Sequence, residues 1–310
     1  MAQSTAIPSV QPRVRRVRLG AKRQDWPWAL LFLAPNLVLF LVFFAYPIVY
    51  GLKISFYNWK IVGPKRWVGL DNYVRFFHDD KTLKLLQNSI YYVVGATIPL
   101  IVLSLGIATL LNAVVFGRHA WRGLYFLPLV SSPVAAAAVW KWLYAKDQGL
   151  INYAVVQLGG HRVDWLYNTR WALPALVVMT IWQLLPFNTI VYLAGLQEVP
   201  RTLYDAAAVD GASGWRQFRD ITIPMVTPTT FFVLMITLFS LLFGSFDIIN
   251  VMTQGGPLDS TNVFVYDVYQ NAFKFFRIGY ASAEAYLLFV VVFVLTIGNW
   301  ALQKRWVNYE

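Results

Sequence analysis

Six long apolar stretches, at about 28–50, 88–111, 122–145, 171–194, 229–250 and 281–302, alternate with polar segments along the chain. Each reaches the roughly 20 apolar residues that a helix needs to cross the hydrocarbon core of a bilayer. The pattern predicts an all-α membrane protein with six transmembrane helices, in which a basic tail at 1–27 precedes a membrane domain at 28–310. An even number of spans leaves both termini on one side. Pro35, Pro47, Pro99, Pro128, Pro133, Pro174 and Pro186 fall inside the apolar stretches. Membrane helices tolerate such kinks where neighbours re-satisfy the freed backbone groups.

One polar break stands apart from the others. Residues 198–228, EVPRTLYDAAAVDGASGWRQFRDITIPMVTP, are neither apolar nor loop-like in composition. Pro200 suits a first helical turn, and Leu203, Ala206, Ala207 and Asp210 recur on one helical face. Gly211 sits where a left-handed helix stop costs least, and a second short helix fits from about Ser213 to Arg219. The segment therefore predicts a helix, a glycine turn and a second helix between spans 4 and 5. Its small, smooth alanine face flanked by Asp205, Asp210, Arg216 and Arg219 suits docking against another protein. The same composition suits an interfacial helix, with Trp215 and Phe218 in the headgroups and Arg201 paired to Asp205.

Composition agrees with the membrane reading: 58% of residues are hydrophobic and 13% charged, and the mean hydropathy is +0.51. Such values lie outside the soluble globular range. The chain has no cysteine, which excludes disulfides, thiolate metal sites and cysteine catalysis. It carries no G-x-x-x-x-G-K-[ST] and no G-x-S-x-G, so neither a phosphate-cradling loop nor a nucleophile elbow is expected. His78, His119 and His161 stand far apart, so no metal site is expected. In the tail, Arg13, Arg15, Arg16, Arg18, Lys22 and Arg23 face only Asp25. A basic tail directly before a first span reads as a topology signal rather than as a nucleic-acid arm. Lys and Arg come out equal on the two sides of the membrane, so only this tail places the N-terminus in the cytoplasm. Lys141, Asp247 and Glu284 lie in or beside spans, where charge is costly. They are either functional, or else snorkelling or mutually paired.

The run Tyr204 to Pro224 resembles the cytoplasmic EAA loop of permease subunits of bacterial binding-protein-dependent ABC importers. Asp205, Ala206 and Ala207 stand for E-A-A, Gly211 is the glycine, and after nine residues Ile221, Ile223 and Pro224 close the motif. Asp205 for glutamate and Ile223 for leucine are the departures. VGLDNYVRFF, LAGLQEVPRTLYDAAAVDGAS and TQGGP are similar to segments of carbohydrate-type permeases, including those for sugars and for glycerol phosphate esters.

The resemblance implies that Asp205, Ala206, Ala207, Asp210 and Gly211 couple the chain to an ATPase. Expected partners are a second homologous permease, two copies of a cytoplasmic ATP-binding subunit, an extracytoplasmic solute-binding protein and membrane lipid, with no nucleic acid. ATP and Mg would be bound by the ATPase, which leaves this chain without cofactor or catalytic residue. A bacterial cytoplasmic membrane location with both termini cytoplasmic follows from the same resemblance. In maltose-type relatives the matching positions that line the sugar site fall on Thr180, Gln183, Leu184, Phe187, Leu241, Leu242 and Ser245. Thr180, Leu242 and Ser245 stand where such relatives present asparagines, and no Arg or Lys lies at that depth. A neutral sugar or oligosaccharide is therefore expected over glycerol 3-phosphate or a glycerophosphodiester. An intramembrane enzyme would need a catalytic pair within a span, which is not seen. An ATP-independent facilitator, the remote alternative, would show uptake without an ATPase.

Overall fold

The computed structural model describes residues 26–61, 63–113, 123, 125 and 127–306. The six basic residues of the tail, and the loop carrying Arg118, His119 and Arg122, lie outside the described residues. The chain divides into an N-terminal unit ending at Gly51 and a body beginning at Leu52. The first unit is essentially one helix, α1 (Trp26–Ser55). It contains Pro35 and a π-helical turn at Leu41–Ala45. From Leu30 to Val49 its apolar side chains are largely exposed, as at Phe32 and Phe43, the pattern of a helix whose solvent is lipid.

The chain is mostly helical, as expected, and the body opens with a short ribbon that the apolar pattern does not predict. Strand β1 (Tyr57–Asn58) pairs antiparallel with β2 (Arg66–Trp67), with Tyr57 opposite Trp67. Edge-to-face packing of those two rings at 5.0 Å holds the ribbon, a cross-strand aromatic pair that hydropathy does not register. Helix α2 (Asp71–His78) follows. Its Asn72 Nδ2 donates to Ser55 O and Tyr57 O at 2.7 and 3.0 Å. Phe76 is buried while Phe77 is exposed, so the aromatic residues here divide between two faces.

Two long helices build the core: α3 (Asp80–Ala113) and α7 (Ala172–Glu198). Tyr92, Ala96 and Leu100 of α3 pack with Leu176 and Met179 of α7. Ala108 packs with Tyr192, Leu193 and Leu196 one layer along. The third apolar stretch arrives as α4 (Leu127–Val130) and α5 (Pro133–Leu143), interrupted at Ser131 and Ser132, with residues 122, 124 and 126 outside the described part. Ser132 is extended at the N-cap and Pro133 opens the helix, the usual chemistry of a helix start. Helix α6 (Leu150–Gln157) lies beyond it.

After α7 come α8 (Arg201–Val209), α9 (Gly214–Met225), α10 (Thr227–Phe243), α11 (Ser245–Met252), α12 (Phe264–Tyr269) and α13 (Ile278–Trp306). The stretch expected as one span at 229–250 is thus two helices interrupted at Gly244. Ser240 O accepts Gly244 N–H at 2.8 Å, and a Cβ at Gly244 would crowd that carbonyl at 2.7 Å. Helices α9 and α10 meet at 65°. Among the described residues, four helices are long and apolar enough to cross a membrane (α1, α3, α7 and α13), or five if the bent pair α9 and α10 counts as one.

Candidate functional site

The predicted helix, glycine turn and helix are all present. Pro200 is the N-cap, with extended backbone, and the first helical residue is Arg201, one position later than the sequence suggests. The end of α8 forms a complete glycine stop. Gly211 has φ +75°, Ala212 N–H reaches Ala207 O at 2.8 Å, and Gly211 N–H reaches Ala208 O at 3.1 Å. Those two bonds satisfy carbonyls that a helix end otherwise leaves open. Ser213 Oγ then accepts Arg216 N–H at 3.4 Å and starts the second arm, which runs past Arg219 through a π-helical turn at Phe218–Thr222.

Tyr204 OH and Thr222 Oγ1 lie 3.0 Å apart and tie the two arms together. The sequence reading missed this pair because it joins elements 18 residues apart. No residue of α8 is buried. Asp205, Ala206, Asp210 and Gly211 are exposed and Ala207 is half-buried. The proposed Arg201 to Asp205 pair does not form among the described residues. Arg216 instead meets Asp220 at 3.6 Å, with Arg219 at 4.0 Å. Asp205 and Asp210 carry no ion pair there. Between this loop and the ends of α3 and α7 opens a cleft of about 740 Å³, bordered by Asn112, Gln197, Arg201, Tyr204 and Phe218.

The seven candidate solute residues occupy different environments. Thr180 is buried at the α3 to α7 contact, where its hydroxyl meets Tyr92 OH at 2.6 Å and donates to Leu176 O at 2.8 Å. Gln183 Nε2 donates to Pro128 O at 3.3 Å, beside the break between α4 and α5, while its Oε1 is buried without a partner. Leu184 is half-buried against the main core, and Phe187 is exposed. Leu241 belongs to that core, whereas Leu242 packs in a separate cluster with Leu288. Ser245 is buried and its hydroxyl is unpartnered. A cleft of about 360 Å³ beside α7 is lined by Trp140, Val139 and Trp182, and by none of the seven. Asn188 Nδ2 donates to Thr237 Oγ1 at 2.9 Å and joins α7 to α10 inside the core.

Lys141, Asp247 and Glu284 do not pair with one another. Lys141 Nζ donates to Val251 O at 3.1 Å, Asp247 is half-buried, and buried Glu284 accepts from Asn271. Among the described residues no group of three or more His, Cys, Asp or Glu is placed to hold a metal ion.

A helical body with a glycine-stopped, two-armed loop between membrane-length helices matches known proteins along nearly its whole length. Residues 29–308 match the family described as the binding-protein-dependent transport system inner membrane component. The chain belongs to that family. As a permease it is 31% identical to the sn-glycerol-3-phosphate transport system permease protein UgpA of Escherichia coli O157:H7, over 90% of this chain and 95% of the relative. It is 33% identical to the probable ABC transporter permease protein YesP of Bacillus subtilis strain 168, over 90% and 91%. Its fold superposes on a chain of a bacterial ABC transporter that imports the acidic polysaccharide alginate, with a TM-score of 0.81 and 25% identity, over 92% and 97%. A second structure of a bacterial alginate transporter, in complex with an alginate-pentasaccharide-bound periplasmic protein, matches with a TM-score of 0.80 and 25% identity, over 91% and 95%. The permease is thus a membrane-embedded subunit of an ABC importer, in a family whose ATP hydrolysis belongs to a separate subunit.

Proposed function

We propose that this permease translocates a sugar or oligosaccharide across the bacterial cytoplasmic membrane, coupled to an ATPase through the loop around Gly211. One observation carries the coupling: α8 and α9 form a stiff, bonded unit with no buried residue in α8. The pair is seated on the body through Tyr204, Ile221 and Thr222, while Asp205, Ala206, Asp210 and Gly211 stay exposed and free for a partner. The reading includes six spans, with α4 and α5 as part of the third, both termini in the cytoplasm and a second permease beside this one. Two ATP-binding subunits would sit below and a solute-binding protein above. The alginate structure with its periplasmic protein supports the last of these by analogy.

For the solute, Gln183, Leu184, Phe187 and Ser245 are the residues of the candidate set best placed to matter. Gln183 Oε1 and Ser245 Oγ are buried and unpaired, and such groups are costly unless something bonds them. Neither 180–187 nor 241–245 contains Arg or Lys, the residues that a phosphate recruits. Hydroxyls of a sugar suit an amide and a hydroxyl better. Glycerol 3-phosphate is the second reading, favoured by the 31% identity to UgpA. In the assembled transporter, Gln183→Ala and Phe187→Ala should each lower sugar uptake several-fold. Unchanged rate and affinity in both would remove the pocket, and efficient transport of phosphate esters alone would replace sugar by the second reading.

Sidedness has its own test, which the absence of native cysteine makes clean. Val209 and Leu258 are 89% and 81% exposed, whereas neighbouring Ser260 is buried and would not report. In intact cells an impermeant thiol reagent should label Leu258→Cys and spare Val209→Cys, which should label only after permeabilisation. Labelling of Val209→Cys in intact cells would invert the topology.

A further inference from the structure

A basic pocket of about 220 Å³ opens where the β-ribbon, α2 and the start of α13 meet. Asn58, Trp59 and Lys60 come from the ribbon, Asn72 and Arg75 from α2, and Arg277 and Tyr280 from the approach to α13 and its first turn. Hydrogen bonds fix this frame. Asn72 Nδ2 ties α2 to Ser55 O and Tyr57 O, and Gly279 N–H donates to Trp59 O at 3.2 Å. The Arg75 guanidinium lies 5.1 Å from the centre of the Tyr280 ring, and that of Arg277 lies 5.5 Å from the centre of the Phe275 ring. A guanidinium held over a ring is positioned by it and still has N–H donors at its edge.

The cations of this pocket meet no anion. Lys60, Arg75 and Arg277 make no ion pair among the described residues, and Lys65 Nζ, 4.0 Å from the centre of the Trp59 ring, adds a further charge beside them. No carboxylate lines the pocket. Acids lie behind its wall, since Arg277 and Tyr280 also border the cavity that holds Asp79, Asp259, Asp267 and Glu284. There Asp259 pairs with Lys81, while Asp267 and Glu284 accept from Asn271. Asp71, one turn before Arg75 on α2, makes no ion pair either. Like charges gathered around one pocket repel, and an anion between them relieves that repulsion. A second, independent observation gives the level at which the anion sits. The pocket is built from chain that directly follows the helix ending at Ser55 and directly precedes the one beginning at Ile278, both of membrane length. Phe273, Phe275 and Phe276, next to Arg277, are exposed, as is Trp67 of the ribbon. Exposed aromatic rings at the ends of membrane helices mark the headgroup layer, where lipid phosphates lie.

We propose that this pocket binds the phosphate of an anionic phospholipid of the phosphatidylglycerol kind, with Arg75 and Arg277 donating to the phosphate oxygens and Lys60 adding charge at the rim. The forked N–H donors of arginine match phosphate oxygens in geometry as well as in charge. A zwitterionic headgroup would bring an ammonium as well, and the lining has no carboxylate to receive it. Dissolved phosphate offers the same oxygens, but it has no acyl chains to lie against Phe273, Phe275 and Phe276. The site is separate from the solute path, since none of the seven candidate solute residues lines it. A bound headgroup would bridge the ribbon, α2 and α13, and so clamp the last helix where Gly279 meets Trp59.

The test titrates the purified, assembled transporter in detergent with phosphatidylglycerol, phosphatidylcholine or phosphatidylethanolamine, and separately with inorganic phosphate, counting bound lipid by native mass spectrometry. Phosphatidylglycerol should bind in preference to the two zwitterionic lipids and raise the thermal midpoint, as a ligand of the native state does. Arg75→Gln and Arg277→Gln should each weaken the tightest-bound phosphatidylglycerol roughly tenfold, as the loss of one charge-assisted hydrogen bond implies. Arg162→Gln removes the same charge from an exposed pair with Asp147 outside the pocket and should leave binding unchanged. Where an arginine variant does not assemble, Lys60→Gln at the exposed rim takes its place, with the same direction expected. The proposal is overturned if the three lipids bind alike, if the pocket variants bind phosphatidylglycerol as wild type does, or if Arg162→Gln weakens binding as much as they do. It is equally overturned if inorganic phosphate binds as tightly as the lipid and displaces it, the signature of a site for a dissolved anion.

Discussion

Gly211→Val is expected to cut ATP-driven uptake at least tenfold while leaving the membrane body assembled. Gly211 holds φ +75° with nothing within 4 Å of where a Cβ would sit, so the substitution creates no collision. Its effect is conformational: the left-handed region costs an L residue about 1–2 kcal/mol, and a β-branched side chain fits it worst. The chain escapes that strain by unwinding the bonds from Ala212 to Ala207 and from Gly211 to Ala208. Losing them re-aims α9 relative to α8. Gly211→Asn, which tolerates the same conformation, should retain most uptake. The measurement is uptake together with solute-stimulated ATP hydrolysis in assembled complexes. Wild-type values for Gly211→Val would take the loop out of the coupling path.

The second large effect is expected at Gly279, and it should appear in accumulation rather than in coupling. Gly279 opens α13 against the β-ribbon, donating its N–H to Trp59 O at 3.2 Å. A Cβ there would overlap Tyr57 O and press on Trp59 N, both backbone atoms with no rotamer to move. Tyr57 is fixed in turn by Asn72 and by the Trp67 ring. Overpacking of this kind costs about 1–3 kcal/mol, enough to reduce the amount of folded protein several-fold. Gly279→Ala should therefore lower the membrane level of the full chain and its thermal midpoint. Gly298→Ala, on the same helix with open space around it, should do neither. Equal levels of the two variants would mean that the ribbon does not hold the last helix.

Apolar runs and turn chemistry made much of this protein legible. Membrane class follows from hydropathy because a run of some 20 apolar residues has one cheap environment. The two-armed loop follows from Pro200, the alanines and Gly211, since capping is local and each stop signal acts within a turn. Ser132 followed by Pro133 also carried a readable helix-start signal, and the long apolar stretch around it masked the break.

Tertiary structure alone decided the rest. Apolar composition cannot tell a helix packed against protein from one packed against lipid, so the sequence did not reveal that Thr180 is spent on Tyr92 or that Leu241 and Leu242 belong to different clusters. Nor does it register pairing between residues distant along the chain: the Tyr204 to Thr222 bond, the ribbon pressed on Gly279, and the 65° turn into α10. Glu284 was visible only as a misplaced charge. Only the packed structure shows it buried and accepting from Asn271. Local propensities are written residue by residue, whereas burial and cross-element hydrogen bonds exist only once the helices have packed.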